Sequence, residues 1–501
     1  METQVRLLSV GSRSGKRHLA VRRLSLARVG LFLAILSGGG WAQVLDKGGY
    51  HMDQPTPVPR LASNAVTDLV IAGGRIWAGT GAGLSVSEDG GTTWRSYGPV
   101  HGLGRGGVSA VALRGDTIWA ATAFDTLITD IGYLPAGGGL SYSLDGGRSW
   151  QWLPQPGPTP VQNVTYDIAL TDSAVWITSW GGGLRRSRDM GQSWEVVPPD
   201  TFLFDPYGNL NHRAFAVIAV EETLWVGTAK GVNKSIDGGR TWVNMNHQNQ
   251  SSPISGNFVV ALAHQQMQGK SLLWAATIEA EDPDEFRAVS VSEDGGRSWR
   301  TLLKGEFVHN FGFDPATGTV YAVSDNGLWK SVAPDSFLVF PPIVDRESGE
   351  RIYTTQFYCT TVGHDGYLWV GTADGLARTN NNGFTWQIFR AYFPTGTAGA
   401  PRTYAYPNPF SPMRHNQLGG DGYVRFQYNT TRPTRVTIRV YDFALDLVAT
   451  VVEEKARPVG DFAEAWNGRN DRGDLVANGV YFYRLDIEGE GSYWGKVMVL
   501  N

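Results

Sequence analysis

Along most of the chain, apolar and polar residues alternate in short runs instead of recurring at helical spacing. One stretch shows the arrangement: "SAVALRG" (109–115), "TIWAAT" (117–122), "GGLSYSL" (138–144) and "SWQWL" (149–153). Each run suits a half-buried strand, and turn-forming residues separate it from the next. Four short strands per unit, with helical spacing almost nowhere sustained, predict an all-β chain.

The unit recurs. Its second strand reads "RIWAGT", "TIWAAT", "AVWITS", "TLWVGT", "LLWAAT", "TVYAVS" and "YLWVGT", and the aromatic residues are Trp77, Trp119, Trp176, Trp225, Trp274, Tyr321 and Trp369. They are separated by 42, 57, 49, 49, 47 and 48 residues. Strand-rich repeats of roughly 40–50 residues indicate propeller blades. The expectation is a seven-bladed β-propeller over residues 60–395. Unit seven carries its own last strand, "TWQIFRAYF" (385–393), which leaves the manner of ring closure open.

A second pattern follows the first: "SVSEDGGTTW" (85–94), "SYSLDGGRSW" (141–150), "RRSRDMGQSW" (185–194), "NKSIDGGRTW" (233–242), "SVSEDGGRSW" (290–299) and "ARTNNNGFTW" (377–386). Asp-Gly between two alternating strands favours a tight hairpin, because glycine accepts positive φ and aspartate bonds nearby backbone N–H groups. The tryptophan that ends each box is expected to open the outer strand and to bury its ring against its neighbours. The structural pairs are Asp89/Trp94, Asp145/Trp150, Asp189/Trp194, Asp237/Trp242, Asp294/Trp299 and Asn381/Trp386. Unit six has "LWKSVAPDSF" (328–337) in place of the box. A loop repeated in nearly every unit is scaffold, whereas a catalytic loop is usually needed once. The pattern resembles the Asp-box, or BNR, repeat of sialidases, sortilin-type receptors, xyloglucan hydrolases and the photosystem II assembly-factor propeller. That resemblance implies a folding element lying away from the ligand face.

The chain opens with seven Lys/Arg before the apolar run "VGLFLAIL" (29–36), and "SGGGWAQ" follows. This reads as a signal peptide over 1–42, with a run too short for a lasting membrane anchor. Residues 43–59 form an N-terminal segment. Without the leader the chain keeps 36 basic and 46 acidic residues, a net of −10. That balance gives no support for nucleic-acid binding. The single cysteine, Cys359, excludes a disulfide framework within one chain and reads as a small buried apolar residue.

Beyond unit seven, a Pro/Gly/Thr-rich stretch gives a linker over 396–408 that would let two domains behave independently. Alternating runs then return, "YVRFQYN" (423–429), "RVTIRVYD" (435–442), "LVATVVEE" (447–454), "VYFYRLDI" (480–487) and "WGKVMVL" (494–500), which suggest an Ig-like β-sandwich over 409–501. "YPNPFSP", "VTIRVYD", "WNGRNDRGDLVANGVYFYRL" and "KVMVL" resemble FlgD-type Ig-like domains and, more particularly, C-terminal sorting domains of type IX secretion cargo. The resemblance implies export to the outer-membrane surface of a Gram-negative-type bacterium, with the secretion machinery as partner. The chain ends on Asn501 and not on a basic residue, so an Ig-like module retained in the mature protein stays open.

Chemistry is expected at the channel mouth opposite the box turns. Twelve of 18 tryptophans belong to the two repeating patterns, and Trp180 in "TSWGGGL" is the best remaining stacking candidate. Inter-blade loops add Arg105, Asn163, Asp205, Tyr207 and His212, and further along Arg213, Asn257, His309 and Asn310. Two insertions, "FDTLITDIGYLPAGG" (124–138) and "IEAEDPDEFRA" (278–288), are read as loops enlarging that face. The second carries Glu279, Glu281, Asp282, Asp284 and Glu285, oxygen ligands of the kind calcium takes, although without ordered ligand spacing and more simply a solvated charged loop. No cofactor is expected otherwise. The early Phe/Tyr-Arg-Ile-Pro signature of sialidases is absent, and xyloglucan hydrolases use two propellers where this chain has one. The leading expectation is a secreted, non-enzymatic propeller binding a protein or glycan. A glycoside hydrolase or lyase and a periplasmic ligand-sensing propeller are the alternatives.

Overall fold

The computed structural model describes residues 61–267, 269–396 and 399–501. The expected signal peptide and the segment 43–59 lie outside them. Between Val66 and Phe389, seven antiparallel four-stranded sheets follow one another, each built from four consecutive strands. Their inner strands are Val66–Ala72, Gly107–Arg114, Thr165–Leu170 and Ala214–Val220, then Phe258–Met267, Val308–Phe313 and Phe357–Val362. Each packs beside the next, and the first lies against the last, so the sheets ring one axis as in a β-propeller.

The two sequence patterns meet in this packing. In the first box, Ser87 Oγ donates to Asp89 Oδ1 (2.8 Å) and accepts from the Gly91 N–H (2.7 Å), while Asp89 accepts from the Thr93 N–H (2.8 Å) and hydroxyl (2.6 Å). The same bonds recur around Asp145, Asp189, Asp237 and Asp294. Asn381 completes its turn differently, accepting from the Thr385 N–H and donating to Thr385 Oγ1 (2.7 Å). In the first five boxes the glycine two residues after the aspartate has a left-handed backbone, and a Cβ there would meet the repeating tryptophan of the preceding sheet. At Gly147 the gap to Trp77 is 2.5 Å, at Gly191 to Trp119 3.0 Å, and at Gly239 to Trp176 2.7 Å. Each of these five boxes therefore caps its neighbour's tryptophan, while at Gly383 of sheet seven the Cβ would meet Phe340 at 2.7 Å.

The box tryptophans require a correction. None of them opens an outer strand: Trp94, Trp150, Trp194, Trp242, Trp299 and Trp386 each stand one residue before it, the strands beginning at Arg95, Gln151, Glu195, Val243, Arg300 and Gln387. The physical reason is that each indole belongs to the turn and packs across the seam to the preceding sheet. Trp94 and Trp194 donate their indole N–H to carbonyls of their own boxes, Gly91 at 3.0 Å and Gly191 at 3.1 Å. Trp150 meets Trp77 edge-on at 6.2 Å, and Trp194 meets Trp119 at 6.4 Å. Trp242 packs in the cluster of Trp176, and Trp299 in that of Trp225. Trp94 meets Phe389 of sheet seven, and Trp386 meets Phe340 beside sheet six. Trp94, Trp299 and Trp386 are buried, whereas Trp150, Trp194 and Trp242 keep part of the ring in solvent.

Closure follows the same rule. A Cβ at Gly91 of sheet one would lie 3.1 Å from Trp369 of sheet seven. Asn64 adds two bonds, its Oδ1 accepting from the Ala391 N–H (2.7 Å) and its carbonyl from the Gly375 N–H (2.7 Å). No strand is shared across the seam. Sheet six, lacking a box, closes its outer hairpin at Ala333–Ser336, and Trp274 packs instead on Phe311 and Phe313.

Two further readings of the sequence change. The 124–138 insertion is not an irregular loop: strands Thr117–Ile128 and Gly132–Ser143 stay paired out to Ile128↔Gly132, because the alternation of both strands simply continues past the sheet. The stretch read as linker also contains a strand, Thr403–Tyr406, paired with Val424–Thr430.

The C-terminal region has two sheets. Thr403–Tyr406, Val424–Thr430 and Gly460–Trp466 form one, and Leu447–Arg457, Thr434–Tyr441, Gly479–Ile487 and Gly491–Val499 form the other. Phe410, Phe426, Tyr428, Trp466 and Tyr483 fill the core between them. This sandwich does not hang free of the ring. Arg425 donates through both terminal nitrogens to the Asp374 carboxylate, and Arg390 donates to Asp374 Oδ1 (3.0 Å) and Glu350 Oε2 (3.1 Å). Both arginines also donate to the Arg351 carbonyl. Tyr353 packs on Tyr423 with ring centroids 4.3 Å apart, and Arg457 reaches the Ser348 carbonyl. Segments that looked independent in sequence are joined by buried charge.

Candidate functional site

Every inner strand carries one β-bulge near its start, at the second residue in five strands and at the third in two: Thr67, Ser109, Tyr166, Phe215, Val260, His309 and Tyr358 are skipped in the pairing. A bulge leaves its residue unpaired and re-aims the side chain. All seven line one axial cavity of about 160 Å³, near the end where the connection from the preceding sheet arrives. The loops between second and third strands emerge at the same end, opposite the box turns. The six box tryptophans, Trp94 to Trp386, are not among the residues lining that cavity.

The residues after the bulges staple neighbouring sheets. Asp68 accepts from its own Leu69 N–H (2.8 Å) and from Val111 N–H of sheet two (2.7 Å). Asp167 does the same with Ile168 and with Val217 of sheet four, both at 2.8 Å. Asn310 accepts from Thr360 N–H of sheet seven (3.1 Å). Burial pushes the Asp68 carboxyl up to about 6, and burial with the nearby Asp68 charge pushes Asp167 up to about 7, against the backbone donors. Burial also drives the Cys359 thiol upward, in keeping with a small apolar core residue.

Of the residues expected at the mouth, His309 and Asn310 line the cavity, and His309 Nε2 lies 2.9 Å from Asp325. Asn163, His212 and Asn257 point inward as loop pins. Asn163 Nδ2 donates to the Pro156 and Thr159 carbonyls, His212 holds the Asp205 N–H and Asp200, and Asn257 binds Glu285 and Gln248. Trp180 is not an open platform, since Arg213 lies 5.2 Å from its ring centroid and Tyr207 meets it edge-on. Asp205 caps the Tyr207 and Gly208 N–H groups, and Arg105 is exposed over Phe124.

In the acidic loop Glu281 and Asp284 are exposed, as a solvated loop requires, but one carboxylate departs from it. Glu285 is buried, and its oxygens accept from the Asn257 and Ala280 N–H groups and the Asn257 amide. Among the described residues no three His, Cys, Asp or Glu side chains are grouped to hold a metal ion. Two other clefts lie on the box-turn face, where Arg114 pairs with Asp172 and Arg186 with Glu195.

Sequence reasoning missed six of the seven bulge residues. The signal was an offset: Thr67, Ser109, Tyr166 and Phe215 each stand ten positions before the repeating tryptophan of their unit. No helix among the described residues is long and apolar enough to cross a membrane.

No protein-family model and no curated protein matches the chain. Solved structures do. A GH74 enzyme of Niastella koreensis is similar at 11% identity over 89% of this chain and 75% of its own, with a TM-score of 0.51. An ancestral GH74 enzyme is similar at 16% identity over 87% and 62%, with a TM-score of 0.50. PorZ, a surface component of the type-IX secretion system of Porphyromonas gingivalis, is similar at 14% identity over 85% of this chain, with a TM-score of 0.37. The chain spans 64% of that PorZ structure's length. The two GH74 likenesses, together with the ring of sheets, show a β-propeller fold for this chain, and not an activity.

Proposed function

We propose that this protein is a secreted or cell-surface, non-enzymatic binding module. In this reading the seven sheets are the blades of one propeller that takes a protein or glycan on its axial face, and the C-terminal sandwich is an Ig-like domain serving type IX-like export. The observation that carries the binding role is apolar exposure on that face. Leu127, Ile131 and Tyr133 on the sheet-two hairpin, with Phe202, Leu203 and Tyr207 on the connection to sheet four, are between 64% and 93% exposed. Exposed apolar groups gathered on one face of a soluble protein mark an interaction surface, and aromatic residues are enriched in such surfaces.

The glycosidase alternative finds less support. Asp68 and Asp167 each commit both oxygens to backbone donors, which suits a staple between sheets better than a group that must exchange a proton with substrate. The export role rests on the resemblance of the C-terminal motifs.

The test compares the mature chain with a Leu203→Ser/Tyr207→Ser variant for binding to cell envelopes and to a glycan array, alongside a chromogenic-glycoside screen. Binding lost in the variant, with no glycoside turned over, is the expected result. Turnover, or binding unchanged in the variant, overturns the reading. Fusion of residues 403–501 to a secreted reporter in a host with type IX machinery tests export, and a reporter held in the periplasm refutes that part.

A further inference from the structure

The axial cavity has an uneven lining. Asp68 and Asp167 supply two carboxyl groups, and no lysine or arginine among the described residues lines it. Tyr166, Phe215 and Tyr358 form aromatic wall, and Tyr166 and Phe215 lie 5.4 Å apart. Ser109 Oγ is buried and has no hydrogen-bond partner, so the cavity holds a polar atom that the fold itself leaves unsatisfied. An unsatisfied buried hydroxyl costs about 1–3 kcal/mol unless something occupies the space beside it. Water is one occupant, and the volume holds about five waters or one long side chain.

Two features favour more than water. The acidic side chains are there despite burial, although Asn310 shows that an amide can accept from the neighbouring sheet's N–H in the same position of another unit. Aromatic faces beside carboxylates attract an organic cation through the ring quadrupole and through charge together. We propose that the axial cavity receives the protonated side chain of a lysine or arginine presented by a protein partner. This rests on the binding-module reading and selects protein over glycan. The exposed apolar rim supplies contact area around the mouth, and the cavity supplies the charge selection.

Titration sets the sign of a pH effect. The groups facing the two carboxyls are His309 with Asp325 behind it, Tyr166, Tyr358 and Cys359. Burial pushes the phenols and the thiol upward, so they stay neutral between pH 5.5 and 8. Over that range Asp167 and Asp68 gain charge, and cation binding strengthens as pH rises.

The probes are n-butylammonium, n-butylguanidinium and uncharged 1-pentanol, titrated by ligand-observed NMR into the mature full-length chain. Saturable binding of a cation at pH 8 is expected, weaker by at least about tenfold at pH 5.5 and in Asp68→Asn/Asp167→Asn, with no such dependence for pentanol. Ser109→Leu fills the cavity while leaving both carboxyls in place, and it should abolish cation binding without moving the melting temperature appreciably. This second variant decides the matter if the aspartate variant does not fold. Absence of saturable cation binding at pH 8, or binding unchanged by either variant, overturns the proposal. Leu203→Ser/Tyr207→Ser should retain cation binding, so loss of the partner in that variant speaks only to the rim.

Discussion

Asp374, at the turn after the second strand of sheet seven, is paired in the protein interior with Arg425 of the C-terminal sandwich. Their side chains are 1% and 4% exposed, and Arg390 and Glu350 complete the cluster. Burial pushes the Asp374 carboxyl up, but Arg390 and Arg425 outweigh it and hold it below the usual range. Breaking a buried pair by removing one partner costs about 3–5 kcal/mol, because the other charge stays buried. Arg425→Met is therefore expected to lower stability by that amount and to split one calorimetric transition into two. A single unshifted transition would show that the sandwich and ring are merely in contact.

The box hydroxyls hold more than the exposed aspartates suggest. Ser143 Oγ is buried, donates to Asp145 and accepts from the Gly147 N–H at 2.8 Å. Ser143→Ala leaves that N–H without a partner inside the ring and should cost about 1–3 kcal/mol in urea unfolding. Asp145→Asn should be milder, since Asn381 completes the equivalent turn in sheet seven. A larger loss from Asp145→Asn than from Ser143→Ala would contradict this ranking.

Gly147 and Gly115 separate two effects of the same substitution. Both have left-handed backbones, at φ 87° and 59°, but only at Gly147 would a Cβ strike a neighbour, Trp77 at 2.5 Å. Gly115→Ala should cost only backbone strain, about 1–2 kcal/mol. Gly147→Ala should add about 1–3 kcal/mol of overpacking. Equal melting temperatures for the two variants would mean that the box glycine does not seat on the tryptophan.

The contrast between Trp77 and Thr67 explains what sequence could and could not reveal. Trp77, Trp119, Trp176, Trp225 and Trp369 keep their identity because each fills the same space under the next box, whereas Trp274 has no box after it and the sixth counterpart is Tyr321. The bulge position keeps only its geometry: threonine, serine, tyrosine, phenylalanine, valine and histidine all occupy it. Its offset from the aromatic also drifts, from ten residues in the first four units to 14, 12 and 11 later, as the first hairpin lengthens. A pattern of residue types therefore exposes the scaffold and hides the cavity. The box tryptophans fall between these cases. Trp150 was legible as a packed ring, but alternation alone placed it in the outer strand, because only the contact with Trp77 of the preceding sheet assigns it to the turn. The joint between ring and sandwich is hidden for another reason. Glu350, Asp374, Arg390 and Arg425 are separated by up to 75 residues, and no local rule marks them as neighbours.

Asp68 and Asp167 also predict how stability responds to pH. Their folded-state values, about 6 and about 7, lie above the ordinary carboxylate range. Between pH 4 and those values the unfolded chain has released both protons while the folded ring still holds them. Stability therefore falls as pH rises through this window. The box aspartates act elsewhere: hydrogen bonds from Ser193 and Ser187 lower Asp189 to about 2, so its contribution is lost only as pH falls below the ordinary carboxylate range. The two carboxylate classes do not overlap, so the contribution of Asp68 and Asp167 to urea stability should be larger at pH 5.5 than at pH 8. His101, His264 and His415, whose pKa values burial lowers, act in the opposite sense over the same window. Asp167→Asn must face one backbone N–H with its own N–H₂, so it should weaken the ring at every pH, and the informative quantity is the slope. Between pH 5.5 and 8 the variant's urea midpoint should fall less, or rise more, with pH than that of the wild type at constant ionic strength, because the histidine contributions are common to both. An unchanged slope would place the Asp167 carboxyl in contact with bulk water instead of the ring's interior.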